Sequence, residues 1–191
     1  MRHLRVPLRT RLPARHLPVF RGRDFRVIEG VNDGDPLTDA RELLHEDIYA
    51  LTDRAEPVRL GLITGPGAGP MLVSSDSDAG TPGAAVFLDS LLTFMGPAGG
   101  PRETLVFVEV DAEGLIAEVY LHPLAPLTRK QGYTLITIDR DGAAARFAAI
   151  ASVAVIPGTP IPFASGIQRP DETLCPGDPI LTRGNAPQVL R

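Results

Sequence analysis

The sequence predicts a mainly β protein: a β-rich N-terminal domain, sandwich or roll, with a short helical connector and then a further run of short strands. Three observations point there. Gly and Pro, 19 of each in 191 residues, punctuate the chain too often for long helices. Between those breaks apolar residues alternate over short runs, the period of a half-buried strand. Helix-like spacing occurs in only two short segments, around 38–51 and 141–150. With 43% hydrophobic and 22% charged residues the composition suits a globular fold. No Trp and 5% aromatics assign the core mostly to Leu, Val, Ile and Ala.

Residues 1–15 read as a basic, flexible arm in which Pro7 and Pro13 break any helix. The β-rich domain spans 16–150. Leu17, Val19, Phe25, Val27 and Ile28 suggest a hairpin around Arg21-Gly22-Arg23. Asn32 to Pro36 is a loop, and Thr38 or Asp39 can cap a helix with Leu43, Leu44, Ile48 and Leu51 on its apolar side. Val58 to Ile63 alternates as a strand, and the glycine-rich stretch Gly65 to Pro70 interrupts the pattern. Ser74 to Gly83 is a polar loop, Ala85 to Met95 a long or bent strand, Gly96 to Pro101 a turn. Thr104 to Val110 and Leu115 to Leu121 form the clearest hairpin, with Gly114 supplying the positive φ its loop needs. Tyr133 to Asp139 is a further strand. Asp141 to Ile150 is an Ala-rich helical connector with Phe147 and Ile150 on one face. No period of about 20–50 residues repeats, which excludes a solenoid.

The net charge of −4 hides an asymmetry. Residues 1–27 hold eight arginines and one acid, and the rest of the chain holds 11 basic against 22 acidic residues. Such an arm can attract an anionic polymer or lipid by charge alone; the bland reading is a solvated tail. No apolar run reaches the roughly 18 residues of a membrane-spanning helix. The lone Cys175 excludes an intrachain disulfide and a thiolate zinc cage. No apolar stretch of a secretory signal follows the basic start, which leans the expected location to the cytoplasm.

From Ala151 the chain reads Ala-Ser152-Val-Ala154-Val-Ile-Pro-Gly158-Thr159, then Gly166, then Leu174-Cys-Pro-Gly177-Asp178, Thr182-Arg183 and Pro187-Gln188. Taken alone, these are short strands with glycine turns, and Gly177-Asp178 is a strong turn pair. The ordered set resembles the opening of a Hint domain, the module of hedgehog proteins and inteins, and is closest to bacterial members in which it follows a β-rich domain. The resemblance covers 151–191, the N-terminal part of such a module, and its motif positions are Gly158, Thr159, Gly166, Leu174, Gly177 and Asp178.

The resemblance implies autoprocessing, in which a Cys or Ser attacks the preceding carbonyl in an N-to-S or N-to-O acyl shift. The family's nucleophile position falls on Ala154, which carries neither sulfur nor hydroxyl. Ser152, on the same strand face, could substitute only after a two-residue slip. The family's Thr-x-x-His block has no counterpart before Arg191, and His3, His16, His45 and His122 all lie upstream. The expectation is a truncated, inactive Hint segment behind a binding domain. Unpaired strand edges of that segment would favour a second copy or a complementary Hint fragment as partner.

Other candidates have plainer readings. Asp33, Asp35 and Asp39, and Asp76, Asp78 and Asp89, could offer oxygens to calcium but lack EF-hand spacing. His45-Glu46-Asp47 lacks a second His at helical spacing. Gly65 to Pro70 lacks the Lys of a phosphate loop, and Ser90 and Thr93 lack a nucleophile elbow. Alternation puts most of Glu109, Asp111, Glu113 and Glu118 on the wet face of their hairpin. No cofactor and no metal is expected. The competing hypothesis is a hydrolase on the β scaffold, using carboxylates and a histidine within 16–150. His45 or His122 meeting two buried acids would favour it.

Overall fold

A computed structural model describes residues 14–65, 69–97, 99–151, 160–162, 168–170, 179–181 and 187–189. The chain divides into two compact units, Met1–Arg146 and Phe147–Arg191. The fold is mainly β. Among the described residues of the first unit, the strands are β1 (Ala14–Arg21), β2 (Phe25–Glu29), β3 (Ile48–Leu51), β4 (Val58–Ile63), β5 (Met71–Val73), β6 (Ala85–Met95), β7 (Pro101–Val110), β8 (Ile116–Pro123) and β9 (Tyr133–Asp139).

Antiparallel pairing runs from β6 through β5, β4, β1, β8 and β7 back to β6, so six strands close into a barrel. From the second half of β6 the sheet continues outward through β9 and β3 to β2. The edge of β2 is covered by its own following loop, where Val27 N–H donates to Asp35 and Leu37 N–H to Phe25.

Cross-strand partners share a face. Leu17, Leu60, Leu62, Val73, Val86 and Phe107 point into the barrel lumen and are no more than 4% exposed. The opposite face of β6, β7 and β8 packs on the outer layer. There Phe25 stacks on Tyr49 at 5.4 Å, and Phe94 stands edge-on to both. Thr104 to Glu109 are therefore buried on both faces. The aromatics are few but concentrated: Phe25, Tyr49, Phe94, Phe107, Tyr120 and Tyr133 are the largest fully buried side chains.

Four register shifts shape this sheet. The extra residues are Ile28 in β2, Asp89 in β6, Ala117 in β8 and Ile136 in β9. A bulged residue leaves the alternation, which is why Ile28 and Ile136 stand in solvent. At Asp89 the β6 strand leaves β5 and takes up β9; the freed carboxylate accepts from Ala40 N–H and Ser90 Oγ.

Two sequence expectations fail. The hairpin around Arg21-Gly22-Arg23 does not form. Residues 22–24 make a 3-10 turn, and β1 and β2 pair with other strands. A Cβ on Gly22 would lie 2.5 Å from the Leu37 carbonyl, so the turn needs glycine. The helix after Thr38 is also absent. The segment makes two turns, Glu46 takes φ 72°, and β3 follows. Tyr49 and Leu51, two apart, enter the core from β3, and Leu37 and Leu43 reach it from the loop before it; Leu44 is exposed. Asp39 accepts from Arg41 N–H as a local turn bond. The helical connector forms as expected, α1 (Ala143–Ala151), with Asp139 Oδ1 accepting from Asp141 and Gly142 N–H before it. Among the described residues no helix is long and apolar enough to cross a membrane.

In the second unit, β10 (Pro160–Pro162) pairs with β11 (Gln168–Pro170) and β12 (Pro179–Leu181) with β13 (Pro187–Val189), both antiparallel.

Candidate functional site

The most site-like feature lies at one mouth of the barrel, between the 80–85 segment and the β7–β8 hairpin. The hairpin turn is fixed by Asp111 Oδ1, which accepts from Glu113 and Leu115 N–H, and by Gly114 at φ 81°. The Ala117 bulge lifts the start of β8 away from strict alternation. Inside the mouth Glu109, 2% exposed, accepts from Thr81 N–H at 2.8 Å and from the Tyr120 hydroxyl at 2.6 Å. Burial pushes the Tyr120 phenol far up, and the bond to Glu109 and its charge add to that. A Cβ on Gly80 would lie 2.8 Å from Glu109 Oε2, so glycine, at φ 79°, is what lets this turn pass so near the carboxylate. Beside it opens a cleft of about 390 Å³, walled by Ala84, Ala85, Val110, Ala112 and Ala117, with Glu109 and Asp111 also on its lining.

The outer wall next to the cleft is apolar in register. Leu72 pairs with Ala85, Ala85 with Val110, and Val110 with Ile116. Leu72 and Ile116 are exposed, as is Phe87, which shares this face two residues beyond Ala85.

The carboxylates of this hairpin divide differently from the sequence expectation. Glu109 is on the dry face, and Glu118 is half-buried against Arg21 at 3.7 Å and Arg23 at 3.5 Å. Asp111 and Glu113 are exposed. The register that sorts them depends on barrel closure and a bulge, neither of which alternation reveals.

The other candidates are dispersed. Asp39 pairs with Arg41, whose hydrogen bonds and charge outweigh the upward push of burial and hold its carboxyl low. Asp89 faces Arg140, and Asp78 pairs with Arg59. Asp33 and Asp35 stay in their loop; burial, with Asp47 and Asp35 adding, pushes the nearby Tyr49 phenol up to about 12. His45 and Glu46 are exposed. Asp47 is buried, with Oδ1 accepting from Val31 N–H and Oδ2 unpartnered. Ser90 is buried opposite Val106. His122 faces the lumen, where its Nδ1–H donates to the Pro18 carbonyl at 2.7 Å. Among the described residues no group of three or more His, Cys, Asp or Glu is placed to hold a metal ion. Ala154, Ser152, Gly158, Thr159, Gly166, Leu174, Cys175, Gly177 and Asp178, and the arm up to residue 13, lie outside the described residues.

One grouping had no signal in the sequence. The β1–β4 register sets His16 over Gly61, and the chain returns through Ser74 and Asp76. His16 Nε2 lies 3.2 Å from Asp76 Oδ2, and Ser74 Oγ donates to Asp76 Oδ1. The carboxylate stands between hydroxyl and imidazole, whereas a nucleophilic triad needs the imidazole in the middle. The Ser74 bond, against the opposing effect of burial and with His16 adding, holds the Asp76 carboxyl below its ordinary range. A carboxylate so stabilised is a poor base for a hydroxyl.

Comparison with protein-family models, with curated proteins and with solved structures finds no match for this chain.

Proposed function

We propose that the barrel unit is a binding module and that the segment from Ala151 is a Hint-like module without self-cleaving chemistry. The observation that carries the binding reading is the open apolar row Leu72–Ala85–Val110–Ile116 beside the mouth cleft. Contiguous apolar surface left in water on an otherwise well-packed barrel is a signature of an interaction site. The Hint-like reading rests on the order Gly158-Thr159, Gly166, Leu174, Gly177-Asp178 in the sequence. Its inactivity follows from Ala154: an acyl shift needs a sulfur or oxygen to attack, and a methyl group has no lone pair. Among the described residues the one His–carboxylate pair is His16 with Asp76, beside Ser74, where the carboxylate is in the wrong place for a hydrolytic triad.

Intact mass of the purified full chain, incubated with and without a small thiol or hydroxylamine, tests the Hint part. A single full-length species is expected under all conditions. A thiol-dependent break near residue 152, absent in Ser152→Ala, would overturn it.

A further inference from the structure

We propose that the barrel-mouth cleft receives the alkyl-cation side chain, lysine or arginine, of an extended peptide segment whose apolar neighbours lie on the outer row. This rests on the binding-module reading and names its partner.

Four observations support it. The walls are small and apolar, Ala84, Ala85, Ala112 and Ala117, which leaves room about 390 Å³ in volume for a slender aliphatic stem. The lining charges are both negative, Glu109 and Asp111, and no basic residue lines the cleft. Glu109 is nine-tenths buried yet takes its two hydrogen bonds from neutral groups, Thr81 N–H and Tyr120 O–H. Each of its oxygens keeps a further lone pair. Burying a carboxylate without a counter-charge is costly, and it is Glu118, the residue directly opposite Glu109 in the ladder, that Arg21 and Arg23 pair with. An incoming ammonium or guanidinium would give Glu109 what Glu118 already has. Finally, residues 28–191 carry 22 acids against 11 bases, a field that draws a basic partner. Leu72, Phe87 and Ile116 then offer apolar footing to the residues on either side of the cation.

The test uses the full chain and three probes of equal length, n-pentylammonium, pentan-1-ol and pentanoate, followed by amide NMR shifts at constant ionic strength. Thr81 and Val110 amides are expected to respond to pentylammonium, with the alcohol at least about tenfold weaker and pentanoate weaker still. Ala117→Phe fills the cleft without touching Glu109 and should abolish the response. Glu109→Gln should erase the preference for the cation over the alcohol. If that variant does not fold, the wild-type preference together with Ala117→Phe still decides. Equal binding of alcohol and ammonium, abolished by Ala117→Phe, overturns the cation and leaves the binding module standing. A pentylammonium response that survives Ala117→Phe also overturns it. Silence of the cleft to all three probes overturns both.

Discussion

The two faces of the β7–β8 hairpin are both buried, and they are built from different chemistry. Toward the outer layer the strands present Val106, Val108, Val119 and Leu121, with the Thr104 hydroxyl, bonded to the Leu92 carbonyl, as the polar exception. Toward the lumen they present Leu105 and Phe107 together with Glu109, Tyr120 and His122. The outer face stabilises through area and shape, so damage to it appears as cavity volume. The lumen face adds groups that must be paired, because a stranded donor or acceptor in a low-dielectric interior costs more than its bond was worth. Damage to the outer face is thus read as lost packing, and damage to the lumen face as a stranded polar group.

The largest expected effect follows from the outer face. Phe94 is fully buried and edge-on to both Phe25 and Tyr49. Phe94→Ala should cost about 3–5 kcal/mol, the sum of lost transfer energy and an aromatic-sized cavity. Urea denaturation of the full chain, followed by far-UV circular dichroism, reads this directly. A loss below about 1 kcal/mol would mean that the layer of β2, β3 and β9 is not where the barrel gains its stability.

A smaller effect belongs to the lumen. Tyr120→Phe removes one hydroxyl and leaves Glu109 Oε2 without that donor. The expected cost is about 1–3 kcal/mol, a stranded acceptor rather than a cavity. Pairing Tyr120→Phe with Glu109→Leu should recover part of it, and the double-mutant cycle measures the coupling. Strict additivity of the two changes would break the contrast between the faces, since it would make the lumen groups independent side chains.

How much of this was legible in the sequence depends on whether the signal was local. The strands at 58–63, 85–95 and 133–139 and the helix near 143 follow from alternation, spacing and glycine punctuation within their own segments. The 104–110 and 115–121 hairpin was legible for the same reason, down to the positive φ of Gly114. Leu43, Leu44, Ile48 and Leu51 fit a helical period equally well, and what defeats the helix is distant: β3 is recruited by β2 and β9, which places Tyr49 and Leu51 in the core. The hairpin expected at Gly22 fails similarly, because β1 finds β4 and β8 instead. The mouth was least legible. Whether Glu109 faces water or lumen turns on the six-strand closure, and the cleft walls come from segments 81–85 and 109–117, which no sequence pattern links.

The far side of the lumen face gives the smallest and most selective test. His122 lies deep on β8 with its Nδ1–H on the Pro18 carbonyl. Burial pushes its imidazole below the ordinary value, the Pro18 bond opposes this, and the charge of Arg15 pushes the same way as burial. The folded state thus takes up the proton later than the unfolded chain, whose histidines titrate near about 6.5. Above that pH the ring is neutral in both states and its contribution is fully present. As pH falls through about 6.5 and below, the unfolded chain binds the proton first and stability declines. Asp39 and Asp76, held below the ordinary carboxylate range, titrate beneath this window. His122→Gln keeps an N–H donor within reach of the Pro18 carbonyl and removes the titration. Its urea midpoint should change less than the wild type's between about pH 7.5 and 5.5, a window that brackets an ordinary imidazole. Equal slopes for the two proteins would mean that the lumen admits the imidazolium, and that pairing on this face is looser than pairing at the mouth.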